Sequence, residues 1–404
     1  MIKQIVKTLD GNEAAADVAY NFTEVATIYP ITPSSPMAEH VDVWSANGRK
    51  NLFGQPVKLV EMQSEAGAIG AVHGASETGS LCSSFTASQG LMLMIPVMHR
   101  LSGELKPVVL HIAARTVGTH TMSIFGDHSD VMGCRNTGWA MLCSASVQEC
   151  ADLAAVAHLS TIKGRVPFMH FFDGFRTSHE IQKIKMLPAE ELGKLIDRDA
   201  LYHFKHTGLN PEHPVMRSTV TNPDMFFQSR EANNPWYQRL PYIVQDYMDQ
   251  ISELTGRPYH LFDYYGAPDA EHVVIAMGSV TGAIQETIDK LCKEGKKVGF
   301  IQVHLYRPFS LEHFMKAMPD TVRTITVMDR TKEPGALGEP LYEDVCAAIS
   351  HVKQDVTVLA CRYGLSSKDV PPASINAVFT NMDSLQPKNH FTLGIIDDVT
   401  HHSL

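Results

Sequence analysis

Residues 61–75 read Glu-Met-Gln-Ser-Glu-Ala-Gly-Ala-Ile-Gly-Ala-Val-His-Gly-Ala and follow a short apolar stretch at 57–60. The apolar stretch predicts a strand, and the small residues after Glu65 predict a closely packed helix. Burial in apolar surroundings disfavours a charged carboxylate. We therefore expect Glu65 to hold or share a proton, as the partner of a buried heteroaromatic nitrogen would. The residues alone leave one alternative open, an exposed Glu65 in the first turn of the helix.

Strand-like and helix-like segments alternate on both sides of this stretch. A second alternating unit runs from 272 to 361. Such alternation predicts an α/β fold with a doubly wound, mostly parallel sheet followed by a smaller α/β domain. Residues 201–258 are rich in Pro, Asn, His and aromatic residues, so we predict an irregular connection that ends in a helix at 242–254. The strands predicted in the first half lie at 25–29, 57–60, 80–86, 107–114, 139–144 and 167–172.

Composition limits the class of protein. The chain has 404 residues, 44% of them hydrophobic, which predicts a large core divided into two or three domains. Its net charge is −10, with Lys and Arg scattered along the sequence, so we expect no nucleic-acid partner. No apolar run approaches the roughly 20 residues that span a bilayer, and no secretory signal is recognisable at the N-terminus. We expect a cytoplasmic protein that does not bind membranes.

The spacing of the cysteines argues against an iron–sulfur cluster on this chain. The seven cysteines at 82, 134, 143, 150, 292, 346 and 361 form neither a Cys-x-x-Cys pair nor the spacing of ferredoxin-type ligands. We interpret them as reduced core thiols. One group of metal-ligating residue types lies close together in sequence, and we interpret its members as polar loop residues rather than metal ligands. They are His120, Asp127, His128 and Asp130.

Candidate binding residues lie where predicted strands end. Ligands of open α/β sheets bind at the carboxyl ends of the strands, and Glu65, Arg115 and the loop 29–35 all fall there. Arg115 ends an apolar strand, where an unpaired guanidinium would be costly, so a carboxylate partner is expected. Thr32 offers a hydroxyl from a loop that two prolines stiffen. The alternatives are a structural ion pair for Arg115 and a turn or cap hydroxyl for Thr32.

Further sequence motifs lie in both halves of the chain. In the first half they are Tyr-Pro-Ile-Thr-Pro-Ser-Ser at 29–35, the stretch 61–74, Ser-Phe-Thr-Ala-Ser-Gln-Gly-Leu at 84–91, Ile-Phe-Gly-Asp-His-Ser-Asp at 124–130 and the stretch 171–180. In the second half they are Leu-Tyr-Arg-Pro-Phe at 305–309, Asp-Arg-Thr-Lys-Glu-Pro-Gly at 329–335 and the stretch 362–369. Together these resemble the pyruvate:ferredoxin (flavodoxin) oxidoreductases, of the 2-oxoacid:acceptor oxidoreductase family. The resemblance implies a pyrimidine-binding thiamine diphosphate domain over 1–258 and a transketolase C-terminal-like domain over 259–404.

The resemblance also implies a chemistry. Such enzymes use thiamine diphosphate to cleave pyruvate oxidatively to acetyl-CoA and CO2, with coenzyme A as acyl acceptor and electrons passing through iron–sulfur clusters to ferredoxin or flavodoxin. Glu65 matches the glutamate that hydrogen-bonds the aminopyrimidine ring. Arg115 matches the arginine that holds the substrate carboxylate, and Thr32 matches a hydroxyl beside it. Three further residues would line the cofactor pocket: Tyr29, Pro30 and Ile124.

The family's remaining machinery is not found in this sequence. The resemblance implies a Gly-Asp-Gly segment, followed some way on by Asn, to hold the diphosphate and its Mg²⁺, and no such segment occurs here. We therefore expect Mg²⁺ and the [4Fe-4S] clusters on further domains or subunits. The chain is then inactive alone and works as a homodimer or hetero-oligomer. The alternatives are a subunit for another 2-oxo acid (2-oxoglutarate, oxalate or a branched-chain acid) and a noncatalytic scaffold.

Overall fold

The structure is a computed structural model that describes residues 2–217, 219–352 and 355–404. Strands and helices alternate through the first half of the chain. In order they are β1 (Ile5–Leu9), α1 (Gly11–Phe22), β2 (Val25–Ile28), α2 (Ser35–Ala46), β3 (Lys58–Glu61), α3 (Glu65–Glu77), β4 (Cys82–Thr86), α4 (Ser88–Gly103), β5 (Val108–Ala114), α5 (Ser129–Gly133), β6 (Ala140–Ser144), α6 (Val147–Gly164), β7 (Phe168–Asp173), β8 (Gln182–Met186), α7 (Ala189–Lys194), α8 (Arg198–His206), α9 (Pro223–Glu231) and α10 (Asn234–Thr255).

The second half of the chain continues this alternation in a smaller unit. Its elements are β9 (Phe262–Gly266), β10 (His272–Ala276), α11 (Thr281–Lys293), β11 (Val298–Val303), β12 (Leu305–Arg307), α12 (Leu311–Ala317), β13 (Thr324–Asp329), α13 (Pro340–Val352), β14 (Thr357–Arg362), a 3₁₀ turn (Leu365–Ser367), α14 (Pro372–Met382) and β15 (Phe391–Thr392).

The first sheet has seven strands in the order β12-β6-β7-β5-β4-β2-β3. All neighbours are parallel except β12, which pairs antiparallel with β6. Every residue of β4, β5, β6 and β7 is buried, which explains their continuous apolar or small-residue sequences. The prediction of a doubly wound, mostly parallel sheet is confirmed.

The second sheet has six strands in the order β15-β14-β13-β10-β11-β9. Its strands are parallel except β9, which pairs antiparallel with β11. A separate two-stranded antiparallel sheet joins β1 to β8, so that Ile5 lies opposite Met186. The smaller α/β unit expected in the second half is therefore present.

Residues 201–258 correct one prediction, because they are largely helical rather than irregular. The helices α8, α9 and α10 occupy most of this region. Prolines at the first turns of α9 and α10 are compatible with helix starts, since the first N–H groups of a helix have no intrahelical acceptor. Helix α10 buries Leu240, Val244, Met248 and Ile251, which recur at helical spacing. Among the described residues, the helices are too short or too polar to cross a lipid bilayer.

Candidate cofactor and substrate site

The candidate residues follow three of four neighbouring strands of the first sheet, and Gly90 follows the fourth. Strands β3, β2, β4 and β5 are adjacent and parallel, so their carboxyl ends meet at one edge. The loop 29–35 follows β2, Glu65 follows β3, Gly90 follows β4 and Arg115 follows β5. This edge is where open α/β sheets bind ligands.

Glu65 is the first residue of α3 and is only 6% exposed. Ser64 caps the start of this helix, because its hydroxyl accepts a hydrogen bond from the Gly67 backbone N–H at 3.2 Å. The Glu65 carboxylate itself has no hydrogen-bond or ion-pair partner among the residues that the structure describes. A buried polar group without a partner is destabilising, so this carboxyl is arranged for a donor from outside these residues. The alternative of an exposed Glu65 is wrong.

Gly90 makes room for that carboxylate. A Cβ atom at position 90 would lie 2.5 Å from Glu65 Oε1 and 2.8 Å from Thr86 Oγ1. The Thr86 hydroxyl is also buried without a hydrogen-bond partner. The start of α4 therefore borders a small polar recess that Glu65 and Thr86 share.

The guanidinium of Arg115 contacts two backbone carbonyl groups. Its Nη1 donates to the Thr32 carbonyl at 2.8 Å, and its Nε donates to the Ser123 carbonyl at 3.3 Å. The side chain is buried, and burial lowers the pKa of the guanidinium from its ordinary value. Within residues 2–217, 219–352 and 355–404 no carboxylate lies within ion-pair distance of it. The structural ion pair that we considered is therefore not seen there, and an anionic ligand would satisfy the charge.

Thr32 contacts Arg115 through its backbone carbonyl and not through its hydroxyl. The side chain of Thr32 is exposed, and only its carbonyl contacts the guanidinium. The loop is fixed by Asn12, whose Nδ2 donates to the Pro33 carbonyl at 2.9 Å. The turn or cap role considered for the Thr32 hydroxyl has no counterpart among the described hydrogen bonds.

The three predicted pocket residues lie on the same two segments as Thr32 and Ser123. All three are exposed, Tyr29 at 39% and Ile124 at 40%. Their side chains are therefore open to solvent. None of their side chains contacts Glu65 or Arg115 in the described hydrogen bonds.

Asp130 is a site residue whose role the sequence did not indicate. It is fully buried, and its Oδ2 accepts from the backbone N–H groups of Ser88 at 2.7 Å and Arg115 at 3.0 Å. Burial raises the pKa of the Asp130 carboxyl to about 7. The carboxyl thus ties the start of α4 to the end of β5. A carboxylate followed directly by the apolar pair Val131-Met132 was the only local signal of its burial.

Of the four residues interpreted as polar loop residues, His120, Asp127 and His128 lie in the loop before α5, whereas Asp130 lies in α5 itself. Only His120 is exposed. Their polar atoms diverge. His128 Nε2 lies 2.6 Å from Asp173 Oδ1, whereas Asp127 accepts from the Ser129 backbone N–H at 2.9 Å. These hydrogen bonds give the buried polar groups of Asp127 and His128 partners within the protein.

One cluster of the described residues has metal-ligand geometry, His73 with Glu77 and Glu104. Lys106 Nζ lies 2.7 Å from Glu77 Oε1, and Arg217 contacts the other oxygen of the same carboxylate. Burial alone would raise the pKa of Glu77, but these cations outweigh it and lower the pKa to about 2. The cations already neutralise the carboxylates, so the cluster is an ion-pair network.

Comparison with known proteins identifies the family of the chain. The family model for pyruvate flavodoxin/ferredoxin oxidoreductase, thiamine diphosphate-binding, matches residues 17–249, and the model for pyruvate:ferredoxin oxidoreductase core domain II matches residues 270–375. The pyruvate:ferredoxin oxidoreductase of Moorella thermoacetica is 60% identical over 98% of this chain and 34% of its own length. The pyruvate-flavodoxin oxidoreductase of Klebsiella pneumoniae is 59% identical over 99% of this chain and 34% of its own length. The chain thus spans about a third of the length of these relatives.

Solved structures agree on the fold. A 2-oxoglutarate:ferredoxin oxidoreductase from Magnetococcus marinus superposes with a TM-score of 0.64 at 19% identity, covering 94% of this chain and 65% of that one. A split gene transketolase superposes with a TM-score of 0.50 at 11% identity, covering 92% of this chain and 96% of that one. The pyrimidine-binding and transketolase-like fold class is confirmed. The chain belongs to the pyruvate flavodoxin/ferredoxin oxidoreductase family, and its first unit matches that family's thiamine diphosphate-binding domain.

Proposed function

We propose that this chain supplies half of the active site of a pyruvate:ferredoxin/flavodoxin oxidoreductase. The observation that carries the proposal is a buried Glu65 carboxylate that has no hydrogen-bond or ion-pair partner among the described residues. It lies at the same sheet edge as the buried Arg115 guanidinium, which none of the described carboxylates approaches within ion-pair distance. The whole enzyme would convert pyruvate and coenzyme A to acetyl-CoA and CO2. Electrons would pass to iron–sulfur clusters and on to ferredoxin or flavodoxin.

Glu65 fits the aminopyrimidine ring of thiamine diphosphate. A ring nitrogen at its carboxyl would give this group the hydrogen bond that the described residues do not provide. When bound, thiamine diphosphate supplies the carbon nucleophile and electron sink that 2-oxo acid cleavage requires. Glu65 would bind the ring, orient it and hold a proton at one carboxyl oxygen. Tyr29, Pro30 and Ile124 would cover the ring from the open side.

Arg115 fits the carboxylate of the 2-oxo acid. Its guanidinium can bind a carboxylate through two parallel hydrogen bonds, which fixes the orientation of the substrate as well as its position. The Thr32 carbonyl holds the guanidinium from one side at 2.8 Å. The exposed Thr32 hydroxyl would then face the substrate from the same loop.

The remaining parts of the enzyme are proposed to lie elsewhere. Mg²⁺ and the [4Fe-4S] clusters would be bound by further domains or partner subunits, since the sequence has no Gly-Asp-Gly segment and no cluster spacing. We also propose the division into domains 1–258 and 259–404, inactivity of the chain alone, and a homodimer or hetero-oligomer. All seven cysteines are free thiols, which suits a cytoplasmic location.

Two alternatives are less well supported. Another 2-oxo acid would preserve the chemistry, but relatives at 59–60% identity are named as pyruvate enzymes. A noncatalytic scaffold gives no reason to keep Glu65 buried without a partner, because such a group lowers stability. We therefore retain pyruvate as the substrate.

Replacing Glu65 with Gln tests the proposal. In complex with the remaining domains, Glu65→Gln should fold normally and lose thiamine-dependent reduction of methyl viologen by pyruvate, by about two to four orders of magnitude. Glu286→Gln, an exposed glutamate on α11, is the matched control and should keep full activity. Undiminished activity of Glu65→Gln would show that the carboxyl has no role in catalysis.

A further inference from the structure

Residues of the second half of the chain bind the loop that follows Arg115. We call residues 116–126 the arginine loop. The hydroxyls of Ser366 and Ser123 lie 2.5 Å apart. The Ser367 backbone N–H donates to the Gly126 carbonyl at 2.8 Å, and the Ser367 hydroxyl accepts from the Gly126 N–H at 2.9 Å. Two adjacent serines, more than 240 positions away, therefore bind the arginine loop at two places.

The backbone of this serine pair is unusual. Ser366 has φ 52° and ψ 42°, and Ser367 has φ 56°. This left-handed region is disfavoured for residues with a Cβ, and glycine adopts it without that cost. Non-glycine residues in strained conformations persist where the surrounding contacts hold them, and such positions cluster at functional sites. At this turn, the contacts include the two hydroxyl interactions with the arginine loop and the bond from the Ser367 N–H to the Gly126 carbonyl. The Ser366 N–H also donates to Asp127 Oδ2 at 3.3 Å.

One residue links the serine pair to the guanidinium. Ser123 contacts Ser366 through its hydroxyl, while its carbonyl accepts from Arg115 Nε at 3.3 Å and from Thr116 Oγ1 at 2.8 Å. A change in the position of Ser123 therefore moves one of the two carbonyl acceptors that hold the guanidinium, the other being Thr32. Bidentate binding of a carboxylate depends on that angle, because both hydrogen bonds must be aligned at once.

We propose that Ser366 and Ser367 are positioning residues that set the orientation of Arg115 for the carboxylate of the 2-oxo acid. This inference rests on the proposed function of Arg115. The second domain then contributes to substrate recognition without a group that touches the substrate. The effect should appear in the binding of pyruvate and not in that of coenzyme A.

Ser366→Gly in the complete enzyme tests this proposal. Glycine accepts the left-handed backbone, so the variant should fold, and only the hydroxyl contact is removed. We expect the KM for pyruvate to rise about five- to tenfold, as for one lost hydrogen bond, with kcat and the KM for coenzyme A changed less than about twofold. Ser374→Ala, on α14 in the same unit, is the control and should match the wild type. Ser123→Ala should raise the KM similarly, and the double variant should add little, because both changes remove one contact.

Hydrogen exchange gives a second measurement that does not depend on activity. Amides of the arginine loop should exchange several-fold faster in Ser366→Gly and at the wild-type rate in Ser374→Ala. A wild-type KM for pyruvate together with wild-type exchange in Ser366→Gly would overturn the inference. If the wild-type complete enzyme uses no 2-oxo acid, the proposed function fails instead, and both proposals about Arg115 fall with it.

Discussion

The carboxylate of Asp173 lies 2.5 Å from the Arg330 guanidinium, and this buried ion pair joins the two halves of the chain. Asp173 ends β7 in the first sheet, and Arg330 follows β13 in the second. The carboxylate also accepts from the Ser279 backbone N–H at 2.7 Å and lies 2.6 Å from His128 Nε2. Gly278 has φ +81°, and a Cβ there would lie 2.9 Å from the same carboxylate. A carboxylate of the first half thus fills an anion-binding position at the strand ends of the second.

Asp173→Asn should lower the free energy of unfolding, because it weakens this contact between the two halves of the chain. Burial alone would raise the pKa of Asp173, but Arg330 and His128 outweigh burial and hold it well below its ordinary value. The stability from this group is present above the ordinary carboxyl pKa and is lost as pH falls below it. Removing one partner of a buried pair costs about 3–5 kcal/mol, measurable by urea unfolding at pH 7. Asp369→Asn, in the exposed pair with Arg176, should cost far less, because solvent screens an exposed ion pair. Equal losses of unfolding free energy in the two variants would contradict a stabilising role for the buried ion pair.

We expect the free energy of unfolding to depend on pH through His304, which is buried between Glu149 and Asp263. Burial alone would lower the pKa of His304, but the two carboxylates outweigh it and raise the pKa to about 10. Since the folded-state pKa is raised, the stabilisation is complete below pH 6.5 and is lost as pH rises towards 10. His304→Gln should flatten the stability profile between these values in urea unfolding. His99→Gln, an exposed histidine, should leave the profile unchanged.

Arg115→Lys should weaken substrate binding selectively. Lysine keeps the charge but cannot form the two parallel hydrogen bonds, so the KM for pyruvate should rise about ten- to a hundredfold. The KM for coenzyme A should stay within about twofold, since a different part of the enzyme is expected to bind it. Arg323→Lys, an exposed arginine, provides the comparison. A parallel rise for both substrates would remove the assigned role.

Gly90→Ala should weaken thiamine diphosphate binding without unfolding the chain. The new Cβ would overlap Glu65 Oε1 and displace the carboxyl, while alanine favours the helix by up to about 1 kcal/mol. Overpacking of this kind costs about 1–3 kcal/mol, so the dissociation constant should rise about five- to a hundredfold by titration calorimetry of the complete enzyme. Gly282→Ala, where a Cβ meets no atom within 4 Å, should bind normally.

The buried strands of the first sheet could be predicted from sequence because burial on both faces gives continuous apolar runs. All six predicted strands there correspond to observed ones, from β2 to β7. The strands β1 and β8 were missed, since they are partly exposed and pair only with each other across the chain. The short β12 was also missed, because a three-residue strand has no periodicity to detect.

The same distinction applies to the site. The location of Glu65 and Arg115 at one sheet edge could be predicted because each lies at the carboxyl end of a predicted strand. Their roles came from the family resemblance and stay predictions. Asp130, Asp173 and Ser366 could not, since each acts through partners far away in sequence. Their partners include Ser88, Arg330 and Ser123. Long-range polar contacts depend on the assembled fold and leave no local pattern.

The antiparallel pairing of β12 with β6 has a practical consequence for truncation. A protein ended at residue 258 would retain β6 as a bare sheet edge, with its backbone N–H and C=O groups exposed. Bare edges of this kind recruit strands from other molecules and promote aggregation. Ending the chain just past Arg307 would restore β12 but leave β10 without its neighbour β13, so only the complete chain covers both edges.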